Sequence, residues 1–138
     1  MAENIRLEIV TPEKAVVSEE VEIVVAPGML GEFGVLNGHT PFLTPLRVGT
    51  IRYKDAKGSE KFIFVSGGFA EALPDKVTIL AESAERRRDI DIERARSSFE
   101  RAQQRLAEEK RQEDMDYIRA KAALERALQR LRLAETKM

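Results

Sequence analysis

Six arginines stand at one repeated spacing in the last third of this 138-residue chain. Arg94, Arg101 and Arg105 fall in Asp89–Leu106 (DIDIERARSSFERAQQRL); Arg119, Arg126 and Arg130 fall in Asp114–Leu131 (DMDYIRAKAALERALQRL). Ten of the 18 positions are identical at an offset of 25 residues. Steps of seven and four keep a side chain on one helix face. Arg94 has Asp91 one turn before it, but Arg101, Arg126 and Arg130 have no acid at i±3 or i±4. Arg101–Arg105 and Arg126–Arg130 are like-charge pairs one turn apart, each costing a few tenths of a kcal/mol. A guanidinium cluster left uncompensated binds polyanions, phosphates or the carboxylates of another protein. The same pattern also suits a solvated face of a charged hairpin.

The elements that must position these arginines are helices. Ile92, Ala95, Phe99, Ala102 and Leu106 step by three and four, an apolar seam. Tyr117, Leu124, Leu128 and Leu131 form a matching seam, with Ala120, Ala123, Ala127 and Ala134 as a neighbouring stripe of small residues. Asp89 and Asp114 are the expected N-caps, with Asp91 and Asp116 in or near the first turns. Glu108–Glu113 (EEKRQE) is the expected reversal. A turn near residue 111 brings Arg130 level with Ile92 and Arg126 level with Arg96. Arg94, Arg126 and Arg130 then converge beside Asp91. Helices of about 18 residues are marginal alone, so the pair must zip together, lean on the rest of the protein or bind elsewhere.

The remainder reads as sheet. Ile5, Leu7 and Ile9 alternate with Arg6 and Glu8, and Val21, Ile23 and Val25 alternate with Glu20, Glu22 and Val24. Glu32–Leu36, Phe42–Leu46 and Val48–Tyr53 are short apolar pieces. Asp55–Gly58 (DAKG) and Pro74-Asp75-Lys76 are turns between strands. All 8 Gly and all 5 Pro precede residue 85. Residues 1–84 carry 8 Lys+Arg and 12 Asp+Glu, net −4, and residues 85–138 carry 15 and 12, net +3. This composition shift predicts an α+β protein. An N-terminal antiparallel β-sandwich of about ten short strands (1–84) precedes a C-terminal antiparallel two-helix hairpin (85–138).

Several functions are disfavoured. There is no cysteine, and His39 is the one histidine, so a thiolate or zinc site lacks ligands. Gly31, Gly34, Gly38 and Gly67-Gly68 precede no Lys-Ser/Thr and open no helix, so they read as turns and bulges. No serine sits in a nucleophile elbow. No catalytic constellation is visible. No apolar run nears the ~18 residues of a membrane span, and no signal peptide opens the chain, so a soluble cytosolic protein is expected. Nucleic acid is a poor partner: the aromatics of the basic segment, Phe99 and Tyr117, fall in its apolar seams.

Taken in order, the motifs resemble one family, the epsilon subunit of bacterial F-type ATP synthases. The likeness rests on Thr11-Pro12, Gly31-Glu32-Phe33-Gly34-Val35-Leu36 running into Gly38-His39-Thr40-Pro41, Ser66-Gly67-Gly68-Phe69, Pro74-Asp75-Lys76-Val77-Thr78-Ile79-Leu80, and Ile90-Asp91 followed by Arg94-Ala95. It covers essentially the whole chain. It implies a ten-stranded sandwich with a two-helix domain, in a non-catalytic subunit of the central rotor stalk of a proton-translocating synthase. The implied location is the cytoplasmic face of the cell membrane, peripheral to it. Implied partners are the gamma subunit, the membrane c-ring and the alpha/beta catalytic head. Loops matching Glu32 and His39 would lie near the ring. The helices would inhibit ATP hydrolysis when extended along gamma, where basic residues meet an acidic segment of beta.

Some family members hold the compact form with ATP through an I/L-D-x-x-R-A motif, which Ile90-Asp91-Ile92-Glu93-Arg94-Ala95 fits. The same resemblance adds Glu85, Arg101, Arg126 and Arg130 to that site. Ser97-Ser98 stands where alanines are expected. The arginines would hold phosphates, with Asp91 nearer the base or ribose. No cofactor is obligatory; regulatory ATP, with or without magnesium, is the implied ligand. The competing reading is a nucleotide- or polyanion-binding regulatory module with no rotary role.

Overall fold

The structure is a computed structural model that describes residues 3–108 and 115–135. The chain divides into two compact units, the first ending at Arg87 and the second starting at Arg88. That division falls three residues beyond the 84/85 composition boundary, because a last short strand follows Ser83.

The first unit contains β1 (Ile5–Val10), β2 (Ala15–Gly28), β3 (Gly31–Val35), β4 (Phe42–Leu46), β5 (Gly49–Asp55), β6 (Glu60–Val65), β7 (Gly68–Ala72), β8 (Lys76–Ala81) and β9 (Ala84–Arg86). The spine is β2, which is 14 residues long and pairs with β1, β3, β4 and β5. Strand β1 also pairs with β8, and β8, β7, β4 and β2 follow one another, so this part of the sheet closes on itself. From β2 the sheet continues through β5 and β6 to β9. The result is the expected sandwich, with nine strands among the described residues. Its pairings are antiparallel except β1–β8, which is parallel.

The core is made of inward alternating positions: Ile5, Leu7 and Ile9 on β1, Ile51 and Tyr53 on β5, Ala70 and Ala72 on β7, Val77 and Ile79 on β8. Each large apolar side chain buried here contributes about 1.5–3 kcal/mol over leaving it exposed. Strand β2 departs from the simple alternation. Val21 pairs with Asp55 and Ile23 with Lys54, so Glu22 is an extra residue in the ladder. This bulge moves the inward phase from Val17 and Val21 to Val24 and Ala26. The strict alternation of Val21, Ile23 and Val25 is therefore corrected: Val24 faces the core, while Ile23 and Val25 are half-buried.

Both turns form where the sequence places them. In the β5–β6 turn, Asp55 Oδ1 accepts the N–H groups of Lys57 and Ser59 at 2.9 Å each. Gly58 takes φ 84°, a left-handed conformation that favours glycine. Gly68 is constrained more tightly. Its φ is 137°, and a Cβ there would overlap the Leu80 carbonyl oxygen of the adjacent β8. The Gly67-Gly68 pair is thus a close backbone approach and not a phosphate loop.

A polar cluster ties β9 down just before the first unit ends. Arg86 Nη2 donates to the Val16 carbonyl at 3.0 Å, and Arg86 Nη1 approaches the Tyr53 hydroxyl at 3.5 Å. That hydroxyl donates to Glu19 Oε2 at 3.2 Å. Burial pushes the Tyr53 pKa above its usual 10.0; Arg86 opposes the rise and Glu19 adds to it.

The second unit opens with a 3-10 turn, Arg87–Asp89, that straddles the division, and then holds α1 (Ile92–Glu108) and α2 (Met115–Glu135) packed on each other. Two expectations change. Ile92 is exposed, so the α1 seam runs through Ala95, Phe99, Ala102 and Leu106. On α2 the buried positions are Ala120 and Ala127 of the small stripe together with Leu133, while Ala123, Ala134, Tyr117, Leu124, Leu128 and Leu131 are half-buried. Alanine leaves no side chain beyond Cβ, so small residues let two helix backbones approach closely. The expected reversal after Glu108, and the expected cap Asp114, lie outside the described residues.

Candidate functional site

The start of α1 explains the I-D-x-x-R-A motif in physical terms. Asp91 is the N-cap: its Oδ1 accepts the Arg94 N–H at 3.0 Å, and its carbonyl accepts the Ala95 N–H at 3.0 Å. Asp89, the expected cap, lies in the 3-10 turn two residues earlier. The cap moves because α1 begins at Ile92, which makes Asp91 the first residue outside it. Ile90 and Ala95 occupy the positions before the cap and four into the helix, where apolar residues staple a helix entry, and both are buried. Arg94 is left on the exposed side of the first turn.

The remaining arginines are distributed along both helices. Arg101 donates through Nη2 to Ser98 Oγ at 3.2 Å, one turn back. Arg101 and Arg105 line an open cavity of about 190 Å³ with Ser98, Ala102, Ala120 and Ala123. Arg94, Arg126 and Arg130 are not part of that lining. Arg126 and Arg130 are half-buried on α2, one turn apart. Arg130 already takes part in a polar interaction within the protein, so it differs from the bare cation its sequence neighbours suggest. Arg96 approaches Glu135 at 3.8 Å across the hairpin. The simple register that sets Arg96 beside Arg126 therefore misses its ionic partner, nine residues further along α2. That pair is exposed on both sides, a class worth about 0–1 kcal/mol. Glu85 lies on β9 in the first unit, opposite Phe64 in the ladder, and has a polar partner. The other proposed nucleotide residues, Ile90, Asp91, Arg94, Ala95, Arg101, Arg126 and Arg130, belong to the second unit.

The sandwich offers two surfaces. Glu32 on β3 bonds Arg52 at 2.8 Å across an exposed pair. His39, in the loop after β3, bonds the Thr40 carbonyl through Nδ1 at 2.7 Å, and its ring lies 5.1 Å from that of Phe42. Near Glu32, the apex between β2 and β3 holds Met29 and a fully exposed Leu30. The second surface is an apolar row across four strands. Pro45 pairs with Phe69, Phe69 with Leu80, and Leu80 with Val10. Leu43, Phe69 and Leu80 are each more than half exposed. Sequence reasoning missed this row because its members come from four separated segments. Its trace was apolar residues at outward positions, where an antiparallel sheet with one wet face carries polar ones.

Among the described residues there is no group of three or more His, Asp and Glu placed to hold a metal, and no helix long and apolar enough to cross a membrane. The arrangement suits binding: an apolar sheet face and a cationic hairpin.

Comparison with known proteins agrees across the chain. Residues 4–87 match the family model "ATP synthase, Delta/Epsilon chain, beta-sandwich domain", and residues 88–135 match "ATP synthase, Delta/Epsilon chain, long alpha-helix domain". The ATP synthase epsilon chain of Desulforapulum autotrophicum is 64% identical over 108 residues, covering 78% of this chain and 80% of that one. That of Nitratidesulfovibrio vulgaris is 58% identical over 110 residues, covering 80% and 81%. Among solved structures, a chain of the Euglena gracilis mitochondrial ATP synthase (OSCP/F1/c-ring) shares the fold with a TM-score of 0.79 at 24% identity, covering 93% of this chain and 79% of that one. A chain from the central stalk and c-ring of the Tetrahymena thermophila mitochondrial ATP synthase gives 0.62 at 11% identity, covering 94% and 96%. With both units matched in order, and relatives this close over most of their own length, the chain belongs to the family of ATP synthase epsilon chains.

Proposed function

We propose that this chain is a non-catalytic subunit of the central stalk of a proton-translocating ATP synthase, with a sandwich that docks and a hairpin that regulates. The observation that carries the reading is the division of labour between the units. One presents an apolar row, Pro45, Phe69, Leu80 and Val10, while the other is a cationic hairpin packed through alanines. The apolar row is the surface for the gamma subunit. Glu32, His39 and the Met29–Leu30 apex face the c-ring. In this reading the chain lies at the cytoplasmic face of the membrane, attached through the complex.

The hairpin acts as an inhibitor of ATP hydrolysis. Its arginines have two anionic clients in turn. Bound ATP, with or without magnesium, favours the compact hairpin through Arg94, Arg101, Arg126 and Arg130, with Asp91 near the base or ribose. In the absence of ATP, acidic residues of the alpha/beta head take its place. A ligand that binds one state alone stabilises it by about 1.4 kcal/mol at ten times its Kd. That is enough to move a marginal balance tenfold.

The test is ATP hydrolysis by the assembled synthase, with the full chain and with a chain ending after Arg87. Hydrolysis should rise on removing the hairpin while the shortened chain still co-purifies with the complex. Equal rates with equal incorporation would refute the inhibitory role.

A further inference from the structure

The apolar row on the sandwich has a charged flank. Glu71 stands two residues on from Phe69, on the same face of β7, and is exposed. Its cross-strand neighbours are Leu43 on β4 and Thr78 on β8, neither of them charged. One strand further on, Glu8 of β1 lies opposite Thr78. Glu8 is already paired: Lys76 approaches it at 3.4 Å and Arg6 at 3.9 Å. Among the described residues no cation and no hydrogen-bond donor reaches the Glu71 carboxylate.

We propose that Glu71 determines which partner the docking face accepts, and that it takes a lysine or arginine of the gamma subunit. The proposal rests on the reading of the apolar row as the gamma surface. In the free chain the carboxylate is wet and needs no counter-charge. A partner seated on Phe69, Leu80 and Leu43 strips water from that face, and Leu43 sits directly beside Glu71. A charge that loses water without gaining a counter-charge is strongly penalised. A partner that fits the row in shape but brings no cation, or brings an acid, is therefore rejected. One with a cation in place gains a charge-assisted bond. Charges flanking an apolar contact set partner choice and association rate more than raw affinity. The spacing also fixes the form of the partner. Two positions along a strand span about 6–7 Å, and side chains one turn apart on a helix have Cβ atoms about 5–6 Å apart. A partner helix with an apolar residue one turn from a basic one matches the step from Phe69 to Glu71. Glu8 does not serve in its place, because Lys76 and Arg6 already hold it.

The test is binding of the full chain to a catalytic head that contains gamma but lacks this chain, by surface-plasmon titration across ionic strength. Glu71→Lys should weaken binding at least tenfold. Glu71→Gln should weaken it at least threefold, with a shallower salt dependence than the wild type. That dependence separates a lost ion pair from a lost fit, because salt screens charges and not shape. Glu60→Lys makes the same charge change at the exposed start of β6, outside the row, and should alter binding less than threefold. Binding of Glu71→Lys within threefold of wild type would overturn the proposal. So would an equal loss in Glu60→Lys, or an unchanged salt dependence in Glu71→Gln. Phe69→Glu separates this proposal from the docking reading beneath it. If Phe69→Glu loses binding while Glu71→Lys keeps it, the row is the docking surface and Glu71 has no part in partner choice. If both keep it, docking lies elsewhere and the proposal falls with that reading.

Discussion

Asp91 Oδ1 accepts the backbone N–H of Arg94 at 3.0 Å, so the two polar residues of the I-D-x-x-R-A motif are joined before any ligand arrives. The bond satisfies one of the four N–H groups that a helix start leaves without a partner. It also leaves the Arg94 side chain outward in the first turn, where a partner anion can reach it. The motif is thus a helix-entry signal in its own right.

Replacing Asp91 should therefore act without nucleotide. Asp91→Ala should lower the stability of α1 by about 0.5–2 kcal/mol, the usual cost of losing such a cap. Asp91→Asn should retain most of it. Melting followed by far-UV circular dichroism in nucleotide-free buffer measures this directly. An Asp91→Ala protein with wild-type melting would show that the cap contributes nothing.

Arginines of both helices should matter for ATP. Arg94→Ala and Arg126→Ala should each weaken ATP binding at least tenfold, a loss of about 1.4 kcal/mol. Isothermal titration with and without magnesium is the measurement. Unchanged affinity in both variants would mean that the arginines do not form one shared array.

The sandwich should lose stability in acid through the β5–β6 turn. The N–H of Ser59 holds the Asp55 carboxyl below its usual 3.8, against opposing desolvation, with further help from the Lys57 N–H and Lys61. A lowered folded pKa means that the unfolded chain binds more protons as pH falls through that range. The contribution is complete above about pH 4–5 and disappears as pH drops through the folded value, below 3.8. Urea unfolding of Asp55→Ala should show a shallower fall between pH 5 and 3 than the wild type. Parallel curves would remove Asp55 from the acid response.

Gly68→Ala should destabilise the sandwich by about 1–3 kcal/mol. Its φ of 137° disfavours any side chain, and a Cβ meets the β8 backbone at Leu80, which cannot swing aside like a side chain. Ala70→Gly, two residues on, is a comparison that removes a buried methyl and adds backbone freedom without a clash. Denaturant midpoints decide it, and a silent Gly68→Ala would show that β8 yields easily.

Phe69→Glu should leave folding nearly unchanged, because the ring is exposed, and should weaken docking to the rest of the stalk. A central aromatic anchor commonly accounts for 2 kcal/mol or more of binding, roughly thirtyfold in affinity. Co-purification or surface-plasmon titration with the gamma subunit measures the loss. Wild-type affinity would move the docking surface elsewhere.

Local periodicity made much of this protein legible without a structure. A glycine- and proline-punctuated segment with a two-residue period folds as sheet, and one with a 3.6-residue period and neither residue folds as helices. Those signals depend on neighbours a few residues apart, as does the DAKG turn. What depended on distant residues was not legible. The bulge at Glu22 turns Val24 inward because β5 fixes the register of β2. The row Pro45–Phe69–Leu80–Val10 exists because four separated strands align. Arg96 meets Glu135 because two helices settle at a depth set by buried alanines. Hydrophobic period decides which element forms; pairing and packing across the chain decide which side chains become neighbours, and so where the surfaces and the cavity lie.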